Sequence, residues 1–309
     1  MKQTVATKHR DHIPLAVGTI LFTVFALSLG DALIKQSSST FVIWQIFVIR
    51  SLMAIPFLVG YLALMSPGSF KRDDAMGWTA LRSFLLVGMW ISYYLSLPHL
   101  TLSVAAATYY TLPIFIALFS AALTRSALGI KGCFAIGLGF VGVLLILRPN
   151  AGNFNFYAFL PLLSAMLYAV AMILTRTKCR AVHPIKLSLA LNCAFVLVGG
   201  VAAAGISMLS DDMRHGFLFA PWRDMTVGDF GTMGMLAASI LIGSIGAAIA
   251  YQKGPSVMIG TFDFAYVGFS FIWGVVFFSE TPDALSLTGI VMIVVAGVLS
   301  LRSQPNASR

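Results

Sequence analysis

Seven polar side chains lie in stretches of sequence that are otherwise almost wholly apolar: Asp31, Lys35, Arg50, Tyr94, Tyr109, Asn192 and Asp263. An ionisable group in hydrocarbon costs several kcal/mol unless it faces a partner or a wet cavity, so each charged residue of this set is a candidate to bind substrate or to couple its movement. Arg50 is the deepest cation, nine residues beyond Phe41 and about 13 Å along a helix axis. Two readings hold for it: a fixed positive charge that attracts an anionic substrate group, and a permanent structural ion pair. Asp263 lies six residues into its apolar stretch, about 9 Å from the helix start. At that depth a carboxyl is a candidate for proton exchange or for a substrate amine, against the alternative of an acid wetted from a vestibule.

Asp31 and Lys35 stand at i, i+4 with the acid first, the favourable order for a helical pair. They read as a structural clamp or as a substrate gate. Trp90, Tyr93, Tyr94, Tyr109 and Tyr110 could stack a planar substrate or serve as interfacial and packing residues. Asn192 could bond a substrate or join two helices. Arg82, near a helix end, reads as a snorkelling anchor.

The elements that must position these groups follow from composition. A chain of 309 residues that is 59% hydrophobic and 10% charged, with mean hydropathy +0.90, has too little polar surface for a water-soluble globule. Stretches of about 20 apolar residues, each long enough to cross the bilayer core, are expected at 14–34, 41–65, 79–97, 101–123, 130–147, 156–175, 184–208, 231–251, 257–279 and 285–302. Fifteen of the twenty cations fall on one side of this scheme and four on the other, with Arg50 inside a span. The positive-inside rule then puts both termini in the cytoplasm. The basic start followed by an apolar run is not read as a secretory signal, because the run extends to Ile34 and its removal would leave nine spans.

Residues 94–144 realign without a gap on 251–301. The offset of 157 matches Tyr94 with Tyr251, Pro98 with Pro255, Tyr109 with Tyr266, Thr124 with Thr281 and Gly132 with Gly289. Ten matches in 51 pairs compare with roughly four expected from so apolar a composition. Two copies of a five-span unit in series must insert with opposite orientations, as in secondary transporters. The expected fold is therefore an all-α membrane protein of ten transmembrane helices arranged as two five-helix inverted repeats. Its divisions are a tail 1–13, a first repeat 14–147, a periplasmic linker 148–155, a second repeat 156–302 and a tail 303–309. Gly137, Gly139, Gly142, Gly243, Gly246 and Ala247 read as close helix packing.

No HExxH, GxSxG or Walker sequence occurs, and Cys133, Cys179 and Cys193 have neither disulfide nor metal-site spacing. No cofactor, metal or nucleic-acid partner is expected. A membrane enzyme and a channel stand as the alternatives to a carrier.

Trp44 followed by Arg50-Ser51, Pro113-Ile114-Phe115, Glu280-Thr281-Pro282 and Gly289, together with the topology, resemble the EamA-type carriers of the drug/metabolite transporter superfamily. The first-half turn, Leu123-Thr124-Arg125, lacks the family's frequent acid. The resemblance implies a central cavity lined by helices one to four and six to nine, which carry Arg50, Tyr109, Asn192 and Asp263. Gly30 to Lys35 is similar to the first-helix pattern of a branch that takes up S-adenosylmethionine and riboflavin. The expectation is a multi-pass secondary transporter of the bacterial inner membrane, moving a small polar or aromatic metabolite by alternating access. Its expected partners are that metabolite, protons, the lipid bilayer and, as an open question, a second copy in a homodimer.

Overall fold

The computed structural model describes residues 12–66, 75–124, 156–263, 265–281 and 283–302, with individual residues between 130 and 145. Among the described residues the chain is helical, without strands. The first half supplies α1 (Ile13–Ser37), α2 (Ile43–Met65), α3 (Met76–Ser96), α4 (Leu102–Tyr109) and α5 (Leu112–Thr124). The second supplies α6 (Phe159–Thr177), α7 (Pro184–Ser207), α8 (Val227–Lys253), α9 (Ser256–Phe262), α10 (Ala265–Phe278) and α11 (Ala284–Arg302). Among the described residues six segments are long and apolar enough to cross a membrane: 13–37, 43–65, 156–177, 184–207, 227–253 and 258–278.

Local sequence explains the boundaries. Pro184 opens α7, where a missing N–H costs nothing. The eighth helix starts four residues before the apolar run because Thr226 and Asp229 form a capping box. The expected fourth span is broken into α4 and α5 at Tyr110 and Thr111. Pro113 has no N–H to offer the carbonyl of Tyr109, so the α-helical ladder cannot run through this point. The expected ninth span is likewise split into α9 and α10, with Asp263 at the break. The expected fifth span lies mostly outside the described residues, as do the linker 148–155 and the tails 1–11 and 303–309.

Helices of the two halves pack mainly on each other: α1 on α8 and α10, α2 on α7, α3 on α6, and α4 on α10. Small residues allow the closest of these approaches. A Cβ on Gly243 would overlap Leu27, and one on Gly246 would overlap Thr23, both across the α1–α8 contact. Apolar side chains such as Phe22, Phe57, Leu64 and Val276 face outward, so the chain is apolar outside and places its polar groups within. The bundle has two ends. At one, Lys35 meets the α3–α4 and α10–α11 turns; at the other, the His12 N–H bonds the Lys253 carbonyl at 2.9 Å.

Candidate functional site

Asp31 belongs to the inward stripe of α1 that also carries Ile20, Val24 and Ser28. One carboxylate oxygen accepts a hydrogen bond from the Tyr266 hydroxyl on α10; the other has no partner. On α2, Arg50 is 2% exposed. Its Nη1 donates to the Tyr94 hydroxyl at 3.2 Å, and its guanidinium lies 4.9, 4.7 and 5.6 Å from the rings of Phe47, Phe195 and Tyr94. No carboxylate is bonded to it among the described residues.

Tyrosine rings connect this region to Asp263. The Tyr93 and Tyr266 hydroxyls are 2.9 Å apart. Tyr109 packs on Tyr93 at 5.4 Å, Tyr266 at 6.3 Å and Tyr168 at 5.9 Å. Tyr168 packs on Tyr251 at 6.1 Å, and the Tyr251 hydroxyl donates to Asp263 at 2.7 Å. A chain of rings thus runs from one buried acid to the other, drawn from α3, α4, α6, α8 and α10. Such rings combine an apolar face with a polar tip, the lining suited to a planar, polar ligand. The cavity between them, bounded by Asp31, Asp263, Trp90, Tyr93, Tyr109, Tyr168 and Tyr266, measures ≈ 20 Å³. That is room for about one water, so a metabolite requires the rings to part.

At the end of the bundle above Asp31, Lys35 donates to Glu280 Oε1 and to the Leu100 carbonyl, each at 2.7 Å. Glu280 also accepts from the Leu102 N–H, at 3.1 and 2.9 Å to its two oxygens, where α4 begins and a helix favours an anion. Two features aim this carboxylate. Ser279 adopts φ 52°, a left-handed conformation that ends α10. Gly274 leaves space where a Cβ would come within 2.7 Å of Glu280 Oε2.

Most of the residues singled out in sequence therefore converge: Asp31, Arg50, Tyr94, Tyr109 and Asp263 occupy one buried network. Three expectations need correction. Asp31 and Lys35 do not pair, because Asp31 turns inward to Tyr266 while Lys35 reaches Glu280. Arg82 does not snorkel: it is 1% exposed, and its Nε donates to Thr175 Oγ1 at 2.6 Å. Arg50 forms no permanent ion pair among the described residues: aromatic rings rather than a carboxylate lie against its guanidinium, and its Nε and Nη2 have no hydrogen-bond partner. Asn192 is buried on α7 and donates to the Ser188 carbonyl of its own helix at 2.9 Å, away from the cavity walls. The sequence reading missed Tyr168 and the role of Glu280. Tyr251 and Tyr266 were marked only as repeat mates of Tyr94 and Tyr109.

Residues 14–148 match the EamA-like transporter family. The chain is 24% identical over 285 residues to the pseudopaline exporter CntI of Pseudomonas aeruginosa, covering 91% of this chain and 93% of that protein. It is 24% identical over 271 residues to a riboflavin transporter of Brucella anthropi, covering 86% and 88%, and 22% identical to one of Rhizobium johnstonii, covering 88% and 83%. A crystal structure at 14% identity superposes with a TM-score of 0.65 over 94% of this chain and 96% of the other, a likeness of fold. The six membrane-capable segments mark a multi-pass membrane protein, and the relatives it resembles are named as an exporter and as transporters. Its first half, residues 14–148, is similar to the EamA-like transporter family.

Proposed function

We propose that the protein is a secondary active carrier of the bacterial inner membrane that moves a small metabolite with a planar or aromatic part and charged groups. S-adenosylmethionine, riboflavin and amino-acid-like compounds are the classes to test. The observation that carries this reading is the chain of tyrosines between two buried acids, placed where the two halves meet. Relatives named as an exporter of pseudopaline and as transporters of riboflavin support a metabolite cargo.

Alternating access follows from the proposed ten-span, five-plus-five inverted architecture, with repeats 14–147 and 156–302 and both termini cytoplasmic. Helix pairing supports it. Exchanging the first helix of one half for the first of the other, and so on, turns the α1–α8 contact into α6–α3. It turns α1–α10 into α6–α4 and α3–α7 into α8–α2, and every one of these contacts is present. The Lys35–Glu280 pair then acts as a latch on the periplasmic side. Asp263 is the proton site, with Tyr251 as its hydrogen-bond partner.

The test is counterflow of labelled riboflavin, S-adenosylmethionine and amino acids in proteoliposomes, preceded by thermal-shift screening, because a ligand bound only by the folded state raises apparent stability. One compound should exchange saturably, and Tyr109→Ala, which opens the centre of the ring chain, should abolish that exchange. Exchange untouched by Tyr109→Ala would put the substrate elsewhere.

A further inference from the structure

We propose that Arg82 is an anion-binding group of the transport site and that the transported compound presents a carboxylate to it. The inference rests on the carrier reading above and adds the chemical class of the substrate.

Arg82 lies six residues into α3, about 9 Å along its axis, and borders a second cavity of ≈ 20 Å³ with Trp90, Tyr168, Gly243 and Ser244. This cavity shares Leu27, Met89, Trp90 and Tyr168 with the one between the tyrosines, so the two adjoin across one layer of side chains. The guanidinium is held from behind. The Thr175 hydroxyl donates to the Ala171 carbonyl at 2.8 Å, which leaves its lone pairs for Arg82 Nε. Nη1 is buried and has no partner. A buried cation without a counter-ion is costly, and the chain's own acids do not relieve it. Asp31 and Asp263 are bonded by Tyr266 and Tyr251, and among the described residues no carboxylate pairs with Arg82 and no ring covers it.

The ligand that fits is singly charged and flat. A guanidinium fork matches a carboxylate in plane. The remaining wall, Leu86, Met172 and Ile240 among others, supplies no second cation, so a phosphate dianion would stay half uncompensated in an apolar surround.

The experiment compares phenylacetate with neutral phenylacetamide, and with inorganic phosphate, as stabilisers of the purified full-length protein. Wild type should show a saturable rise in melting temperature with phenylacetate and none with the amide or phosphate. Arg82→Met keeps the volume without the charge; it should match or exceed the ligand-free stability of wild type while weakening phenylacetate at least tenfold. Thr175→Val, which frees the arginine without removing it, should weaken phenylacetate less. An unchanged phenylacetate response in Arg82→Met overturns the proposal, as does an equal response of wild type to the amide or to phosphate. If Arg82→Met does not fold, an unchanged response in Thr175→Val overturns it instead. Flux separates this inference from the carrier reading. Wild type and Arg82→Met transporting one compound with equal KM would remove the Arg82 assignment and leave the carrier. Arg82-dependent phenylacetate binding in a wild type that exchanges no cargo of the panel would remove the carrier reading and leave the anion site.

Discussion

Two buried arginines on consecutive helices, Arg50 of α2 and Arg82 of α3, sit in different surroundings. Near Arg50 there is an acid, Asp31, and a tyrosine that bonds it, Tyr266; Arg82 shares its cavity with Trp90 and Tyr168 and, among the described residues, with no acid. Arg50 has three rings against its guanidinium, each contributing roughly 0.5 to 2 kcal/mol. Arg82 has one threonine behind it, no ring on its guanidinium among the described residues, and an unpartnered Nη1; Arg50 also keeps two nitrogens, Nε and Nη2, without a hydrogen-bond partner. The lesson is that burial of a cation in a membrane bundle does not by itself mark a binding group. What surrounds the charge decides: three rings offset the burial of Arg50, whereas Arg82 borders a cavity with none on its guanidinium.

The strongest way to break this contrast is Arg50→Ala. It removes three ring contacts and the bond to Tyr94 and leaves a void among Phe47, Phe195 and Tyr94. Losses of this kind cost about 3 kcal/mol or more. The variant should be recovered poorly and melt well below wild type in detergent, while Arg50→Lys, which still places a cation on the rings, should lose less. An Arg50→Ala protein as stable as wild type would mean that the rings do not hold the helices together through this residue.

The acids sharpen the contrast next. Asp263→Asn keeps a neutral acceptor for Tyr251 but cannot exchange a proton. Proton-driven uptake should fall at least tenfold, while substrate counterflow, which needs no net proton movement, should persist. Asp31→Asn should slow both modes alike, because that acid positions Tyr266 and Tyr93. If Asp31→Asn alone uncoupled transport, proton exchange would belong to the Arg50 region.

How much of this was legible in sequence follows from what each signal measures. Hydropathy placed the helices, since apolar length is a local property. The repeat marked Tyr94, Tyr109, Tyr251 and Tyr266, and all four lie in the buried network. Pro113 carried a readable signal for the broken fourth helix, and the break at Asp263 carried none. Arg82 was misread because a cation six residues from a helix end can snorkel by length alone; that it is buried depends on α3 packing against α6, a tertiary fact. Asn192 lies apart from the tyrosines for a reason the sequence does not show: its Nδ2 bonds the Ser188 carbonyl of its own helix, while its Oδ1 is buried without a partner. The Lys35–Glu280 pair spans 245 residues, and the local i, i+4 rule favoured Asp31 instead.

That pair supplies the smallest effect and a direct test of motion. Lys35 and Glu280 keep 16% and 10% side-chain exposure, so solvent screens part of their attraction. Glu280→Gln should weaken the closed arrangement by about 1 kcal/mol, a factor of roughly five in population. A cysteine placed at Leu100, in a protein with its native cysteines replaced, should then react about fivefold faster with an impermeant maleimide, and Lys35→Arg, which keeps both the charge and a donor, should change the rate less. Gly274→Ala reaches the same result through space rather than charge, because its methyl group would displace the Glu280 carboxylate. Faster labelling in both variants would show that Glu280 latches this end of the bundle. Labelling unchanged in both would reduce the Lys35–Glu280 contact to a static clamp and leave the tyrosine chain alone to close the site.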